Sequence, residues 1–124
     1  MAAGTMANPF PGRTEMLAKI QSILSLVRFP NLLISAFTQY AMRYLLMEPL
    51  LPSDTFELQF GDFQFALLVF STMLIAAAGY IINDYFDTRA DLINKPARVV
   101  VGVAISRKVA MILHMILNIS GVGI

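Results

Sequence analysis

Residues 63–82 run for twenty positions without a charged side chain, and three aspartates, Asp84, Asp87 and Asp91, follow almost at once. About 20 apolar residues in an α-helix cross the hydrocarbon core of a bilayer. The stretch FALLVFSTMLIAAAGYII therefore has the dimensions of a membrane span, with acid gathered at its rim. Composition agrees: 57% of the 124 residues are hydrophobic and 14% are charged, where a soluble domain carries about 25% charged residues. The net charge of +1 argues against a nucleic-acid partner, which rewards a strongly basic surface. Without cysteine there is no disulfide, thiolate metal site or thiol catalysis, and the single His114 rules out a histidine-rich metal site.

The rest of the chain can be divided around that span. Residues 1–13, with Pro9 and Pro11, read as a flexible tail that lacks the continuous apolar region of a signal peptide. Thr14 is a candidate N-cap, with Glu15 in the first turn. Leu17, Ile20, Ile23, Leu24 and Val27 then recur at helical steps, which predicts an amphipathic helix lying at the bilayer surface. Residues 29–47 form a first span whose polar Asn31, Ser35, Thr38 and Gln39 share one face, turned towards other helices or a cavity. Arg43, near its far end, is expected to snorkel to the headgroups. Residues 48–62, with Pro49, Pro52 and Gly61, form a loop.

The second span, residues 63–82, carries the small residues Ala76, Ala77, Ala78 and Gly79, which let another helix approach closely. Its helix is expected to continue to about Thr88 or Asp91, followed by a polar loop to Ile105. Ser106 would cap a third helix, a span still incomplete at Ile124. Lone His114 in that helix is expected to be packed and hydrogen-bonded between helices. The expected fold class is all-α: an integral membrane helical bundle with an interfacial helix, two full spans and an incomplete third, residues 14–124 forming one domain. Eight of the nine Lys and Arg residues lie before the first span or between the second and third, while the loop at 48–62 has four acids and no cation. The positive-inside rule then puts the N-terminus and the aspartate segment in the cytoplasm, the membrane being the cell inner membrane.

On a helix Asn83 and Asp87 are four apart, Asp84 and Asp87 three apart, and Asp87 and Asp91 four apart, so they share a face. Carboxylates that close repel one another and need a positive partner. Magnesium suits them, because it takes one or two carboxylates and fills its other positions with water and phosphate oxygens. Lys95, Arg98, Arg107 and Lys108 could meet the remaining phosphate charge. Spacing alone equally allows a solvated helix end in which Arg89 pairs with a neighbouring acid and the loop cations meet lipid phosphates.

The segment NDYFDTRAD resembles the NDxxDxxxD motif of the UbiA superfamily of membrane prenyltransferases. INKPARVVVG is similar to the Asn, basic residue, Pro, Arg and Gly that follow that motif, and LVRFPNLLISAFTQY resembles the family's first helix, with its Arg-x-Pro-Asn. Within the superfamily the pattern is most similar to the branch that transfers geranylgeranyl to geranylgeranylglyceryl phosphate. The resemblance implies magnesium-dependent transfer of a prenyl group from a prenyl diphosphate to a lipid-soluble acceptor. It implies catalytic roles for Asn83, Asp87 and Asp91, with Asp87 and Asp91 as the best magnesium candidates and Asp84 as a weaker one. Arg28, Asn31, Asn83, Lys95 and Arg98 are the implied substrate-binding residues.

Two departures bear on these expectations. Ala97 stands where the related loop usually has aspartate, and the family fold has about nine helices and a second aspartate motif. Three helices cannot enclose a long prenyl chain, so the expectation is an N-terminal portion, inactive alone unless a partner chain or a C-terminal half completes it. The rival is a small non-enzymatic membrane protein that binds anionic lipid or a partner chain through small-residue helix faces.

Overall fold

The computed structural model describes residues 11–51 and 61–124; residues 1–10 of the tail expected at 1–13, and most of the loop at 48–62, lie outside them, while residues 11–13 are helical. Helix α1 (Pro11–Leu26) begins three residues before the expected Thr14 cap. Proline is preorganised for the first helical position, where its missing N–H costs nothing. The apolar side chains of α1 are largely uncovered: Met16, Leu17, Ile20, Ile23 and Leu24 are all exposed, and only its end buries Leu26.

Helix α2 (Phe29–Ala41) follows after a sharp break. Arg28 there adopts φ 51°, ψ 55°, the left-handed region that disfavours a residue with a Cβ. Pro30, which cannot donate to the preceding turn, sits in the first turn of α2, and the two helical stretches diverge by 53°. Past Ala41 the helix loosens into a π-turn (Met42–Met47), in which the Glu48 N–H reaches back to the Arg43 carbonyl. Pro49, which has no N–H, lies just beyond, and a widened turn upstream is one way to accommodate it. A last turn, α3 (Glu48–Leu50), ends at Leu51, whose extended backbone is what a residue before proline prefers.

Helix α4 (Asp62–Asn94) has 33 residues. At 1.5 Å per residue it is about 50 Å long, against a hydrocarbon core of about 30 Å. The surplus lies after Ile82, so the aspartate segment is a helical extension beyond the apolar stretch. At the other end the Gln64 Oε1 accepts the Gly61 N–H at 2.8 Å. Among the described residues α4 alone is long and apolar enough to cross a membrane, and α1 with the α2–α3 stretch meets the same measure as a bent pair.

Helix α5 (Arg107–Gly123) starts at Ser106, whose hydroxyl accepts the Val109 N–H, as the sequence predicts. It runs antiparallel to α4. Ala77, Ala78, Ala110 and Gly121 are buried, so the backbones approach closely. A Cβ on Gly121 would stand 2.7 Å from Ile75 Cγ1. The Ser71 hydroxyl donates to the Gly121 carbonyl across this contact. One heptad further along α4 and one back along α5, His114 Nδ1 lies 2.8 Å from the Ala78 carbonyl. A carbonyl only accepts, so Nδ1 carries the proton and Nε2 accepts from Asn118 Nδ2 at 3.3 Å. His114 is thus the interhelical hydrogen-bonding residue expected from sequence.

Two expectations change. The stretch at 95–106 is more than a polar loop. After a short 3₁₀ turn (Pro96–Arg98), Gly102 at φ 85° lets the chain fold back, and Val101 (1% exposed) and Ile105 (9%) enter the core beside Leu26, Leu32, Ile81 and Ala110. Arg43 does not snorkel. It is buried, 2.9 Å from Asp62 and 3.4 Å from Glu48, with its guanidinium over the Phe65 ring. Of the polar face of α2, Gln39 meets Thr72 of α4 at 3.4 Å, while the Thr38 hydroxyl returns to its own Ile34 carbonyl.

Candidate functional site

A cleft of about 560 Å³ opens at the polar end of α4, walled by the α1–α2 joint, the extension of α4 and the 95–101 turn. That size is ordinary for a small-ligand site. Six of the residues singled out from sequence line it: Arg28, Asn31, Asp84, Asp91, Lys95 and Arg98. Arg28 and Asn31 lie more than fifty positions before the other four, and the fold brings the two groups together in two ways.

Along α4, Asp84, Thr88 and Asp91 stand at helical steps of four and three and form one stripe on the cleft wall, and Lys95, which caps the end of the helix, lines the same cleft. Thr88 is buried, its hydroxyl donating to the Asp84 carbonyl at 2.8 Å, which leaves the acids above and below it as the polar face. Across the cleft, the left-handed turn at Arg28 sends its guanidinium to Asp84 Oδ1 at 3.3 Å, while its plane lies 5.2 Å from the Tyr80 ring centre. Both groups are partly exposed, so the pair holds geometry more than it adds stability.

Asn83 and Asp87 do not line the cleft. Each precedes a stripe residue by one position, which turns it about 100° round the helix. Both are exposed, on the adjoining face. The weaker sequence candidate, Asp84, is therefore in the cleft wall, and the stronger Asp87 is beside it. Sequence reasoning missed Ser25, Thr88 and the valines at 99–101 of the lining. Thr88 was legible, since it falls between Asp84 and Asp91 on the same stripe, but nothing local places residues 99–101 opposite α4.

The Asp84 carboxyl, beyond the apolar stretch, is raised above its ordinary value. Partial burial is the main cause, Arg28 opposes it, and Asp91 and Asp87 add to it. The acids thus retain an unmet demand for positive charge, even with Arg28 present. Three cations and two carboxylates share the lining. An anion with several charges, alone or with a dication, satisfies that set better than a neutral ligand. Among the described residues no three acidic or imidazole side chains converge on one point. Asp84 and Asp91 on one stripe suit at most a cation that binds through one or two carboxylates and takes its remaining oxygens from water and phosphate. They do not suit an ion that needs a cage of protein ligands.

The profile of the UbiA prenyltransferase family matches residues 35–124, beginning beyond Arg28 and Asn31. The chain is 40% identical over 87 residues to the digeranylgeranylglyceryl phosphate synthase of Methanosarcina mazei, covering 67% of this chain and 30% of that protein. With the enzyme of the same name from Methanosarcina barkeri it shares 33% over 86 residues, again 67% and 30% of the two chains. With that of Ignicoccus hospitalis it shares 35% over 103 residues, 80% of this chain and 30% of the other. The chain thus spans about a third of the length of these curated relatives. No solved structure matches it. The helical architecture, the membrane-length α4 with acids at its rim, and a profile match over most of the sequence agree: this chain belongs to the UbiA prenyltransferase family, a family of membrane-embedded helical proteins.

Proposed function

We propose that these residues form the diphosphate-binding side of a magnesium-dependent prenyltransferase that moves a prenyl group from a prenyl diphosphate to a lipid acceptor, geranylgeranylglyceryl phosphate. The observation that carries the reading is the cleft at the end of α4, whose lining combines Asp84 and Asp91 with Arg28, Lys95 and Arg98. The family membership and the names of the relatives support the reaction class and the acceptor.

In this reading Asp91 and Asp84 hold the divalent cation from the stripe, and Asp87, on the adjoining face, acts through water bound to that cation. Asn83, one turn before Asp87, orients that carboxylate or contacts the diphosphate. Arg28, Lys95 and Arg98 bind the diphosphate oxygens not shared with the cation, and Asn31 donates from the first turn of α2. Magnesium, when bound, supplies Lewis-acid stabilisation of charge growing on the departing diphosphate. As the allylic carbon–oxygen bond breaks and diphosphate leaves, the apolar helix surfaces below the cleft keep water from the prenyl carbon, so the acceptor hydroxyl oxygen bonds to it and gives up its proton to the departing diphosphate. The cleft and the N-terminus face the cytoplasm of the inner membrane, as the distribution of Lys and Arg favours.

The cleft presents carboxylates on one wall only, so turnover is expected to need further groups facing Asp84 and Asp91. Titration of the purified chain in nanodiscs with geranylgeranyl diphosphate, with and without magnesium, tests the binding half. Magnesium-dependent uptake, lost in Asp91→Asn and Asp87→Asn at unchanged helicity, is expected. Uptake that ignores magnesium, or survives both substitutions, refutes the reading. Turnover by these residues alone refutes the expected need for further groups.

A further inference from the structure

On another side of α4 from the cleft, a second groove of about 350 Å³ lies between α4 and the start of α5, lined by Tyr85, Arg107, Lys108, Met111 and Ile112. We propose that it is a binding site for one anionic phospholipid of the surrounding bilayer, with the lipid phosphate on Arg107 and Lys108 and an acyl chain along Met111 and Ile112. The proposal is independent of the prenyltransferase reading.

Depth is the first argument. The α4–α5 contacts keep a common register: Ser71 meets Gly121, Ala78 meets His114, and a heptad further Arg107 lies over Tyr85. Tyr85 is three residues past Ile82, the end of the apolar stretch, or about 4.5 Å along the helix. Arg107 and Lys108 therefore sit at the level of the headgroups. Met111 and Ile112, one turn further into α5, sit at the edge of the hydrocarbon. The groove is polar at its mouth and apolar below, in the order in which a phospholipid presents its phosphate and its chains.

Charge is the second argument. Arg107 and Lys108 are the first two residues of α5, and its first turn contains no acid. Cations are disfavoured there, because the unpaired N–H groups already make a helix N-terminus positive. Among the described residues the ion pairs are Arg28–Asp84, Arg43–Glu48 and Arg43–Asp62, none of which serves this pair. Two cations and a helix terminus thus converge on the groove mouth without a carboxylate to balance them, and an anion there relieves all three.

Preorganisation is the third. The Arg107 guanidinium lies 4.3 Å from the Tyr85 ring centre. Stacking of this kind fixes the planar group yet leaves its edge N–H donors available for phosphate oxygens. The ring also forms the wall against which the upper acyl chain packs.

The chain has no tryptophan, so Ile112→Trp supplies a single reporter in the groove. That variant, in vesicles of phosphatidylcholine, is titrated with phosphatidylglycerol or phosphatidylcholine brominated in the acyl chain, and fluorescence quenching gives relative affinity. Phosphatidylglycerol should be favoured at least about fivefold, the preference expected of one or two cations at the surface. Arg107→Gln with Lys108→Gln in the same background should bring the ratio to about one, at unchanged far-ultraviolet circular dichroism. Arg13→Gln with Lys19→Gln, an equal loss of charge on α1, should leave it. Tyr85→Leu, which keeps every charge, should lower it by releasing Arg107. Equal quenching by the two lipids overturns the proposal. So does an equal effect of the α1 double variant, which would mean general surface charge only.

Discussion

Gly121→Ala adds one methyl group at the tightest point between α4 and α5, and its consequence can be worked from the geometry. The new Cβ would stand 2.7 Å from Ile75 Cγ1, 3.2 Å from Leu74 Cβ and 3.2 Å from the Ser71 carbonyl oxygen. Ile75 Cγ1 belongs to a side chain that can turn, but a backbone oxygen and a Cβ move only with α4 itself. The helices must therefore separate, at an overpacking cost of about 1–3 kcal/mol. Separation also stretches the Ser71–Gly121 hydrogen bond, whose net worth is about 1 kcal/mol. Against this, alanine gains about 1 kcal/mol over glycine in helix propensity. The net expectation is a loss of about 1–3 kcal/mol. Gly79→Ala is the control: it is the same chemical change in the interior of α4, where, apart from the adjacent residues and the helix's own backbone, nothing lies within 4 Å of the new Cβ. Only propensity acts there, so a gain of up to about 1 kcal/mol is expected. Unfolding in mixed micelles by sodium dodecyl sulfate mole fraction, followed by circular dichroism, measures both. If Gly121→Ala is as stable as the parent, or Gly79→Ala loses as much, the close packing inferred at this crossing is wrong.

Asp84→Asn should change stability by under about 1 kcal/mol, because its partner Arg28 is half exposed and the loss of a partly buried charge offsets the lost pair; magnesium-dependent diphosphate binding should fall at least about tenfold, so calorimetry and unfolding separate the two effects. Arg28→Gly should leave stability unchanged or raise it slightly, since it releases a left-handed conformation worth about 1–2 kcal/mol, while weakening diphosphate binding in the same titration. Arg43→Leu removes the cation held between Asp62 and Glu48; as Asp62 remains solvated, a loss of about 1–2 kcal/mol in micelle unfolding is expected, with the cleft's ligand affinity unaffected at the far end of the helices.

How much of this was readable in advance follows from the range over which each feature is fixed. The apolar run at 63–82, the Ser106 cap and the return of acids at three- and four-residue steps are set by neighbours in the chain, and the structure has them where periodicity puts them. The interhelical role of His114 was also legible, since an imidazole in an apolar helix must find a partner. Arg43 was misjudged because snorkelling and ion pairing look the same in sequence; only the meeting of α2 with the start of α4 brings Asp62 to it. Val101 and Ile105 read as loop residues because their burial depends on Gly102 turning the chain back into a core built by α1, α2, α4 and α5.

The aspartates show the same division. Spacing alone determined that Asn83, Asp84, Asp87 and Asp91 lie near one another at the rim of a span, because a helix fixes angular position along one element. It could not determine which of them faces the cleft. That depends on how α4 is rotated about its own axis, and the rotation is set by Ala77, Ala78 and Ile81 packing against α5 and the α1–α2 joint. Tertiary packing put Asp84 and Asp91 opposite Arg28 and Arg98 and left Asn83 and Asp87 on the next face. A helix carries its pattern in its sequence, but only its neighbours give that pattern a direction.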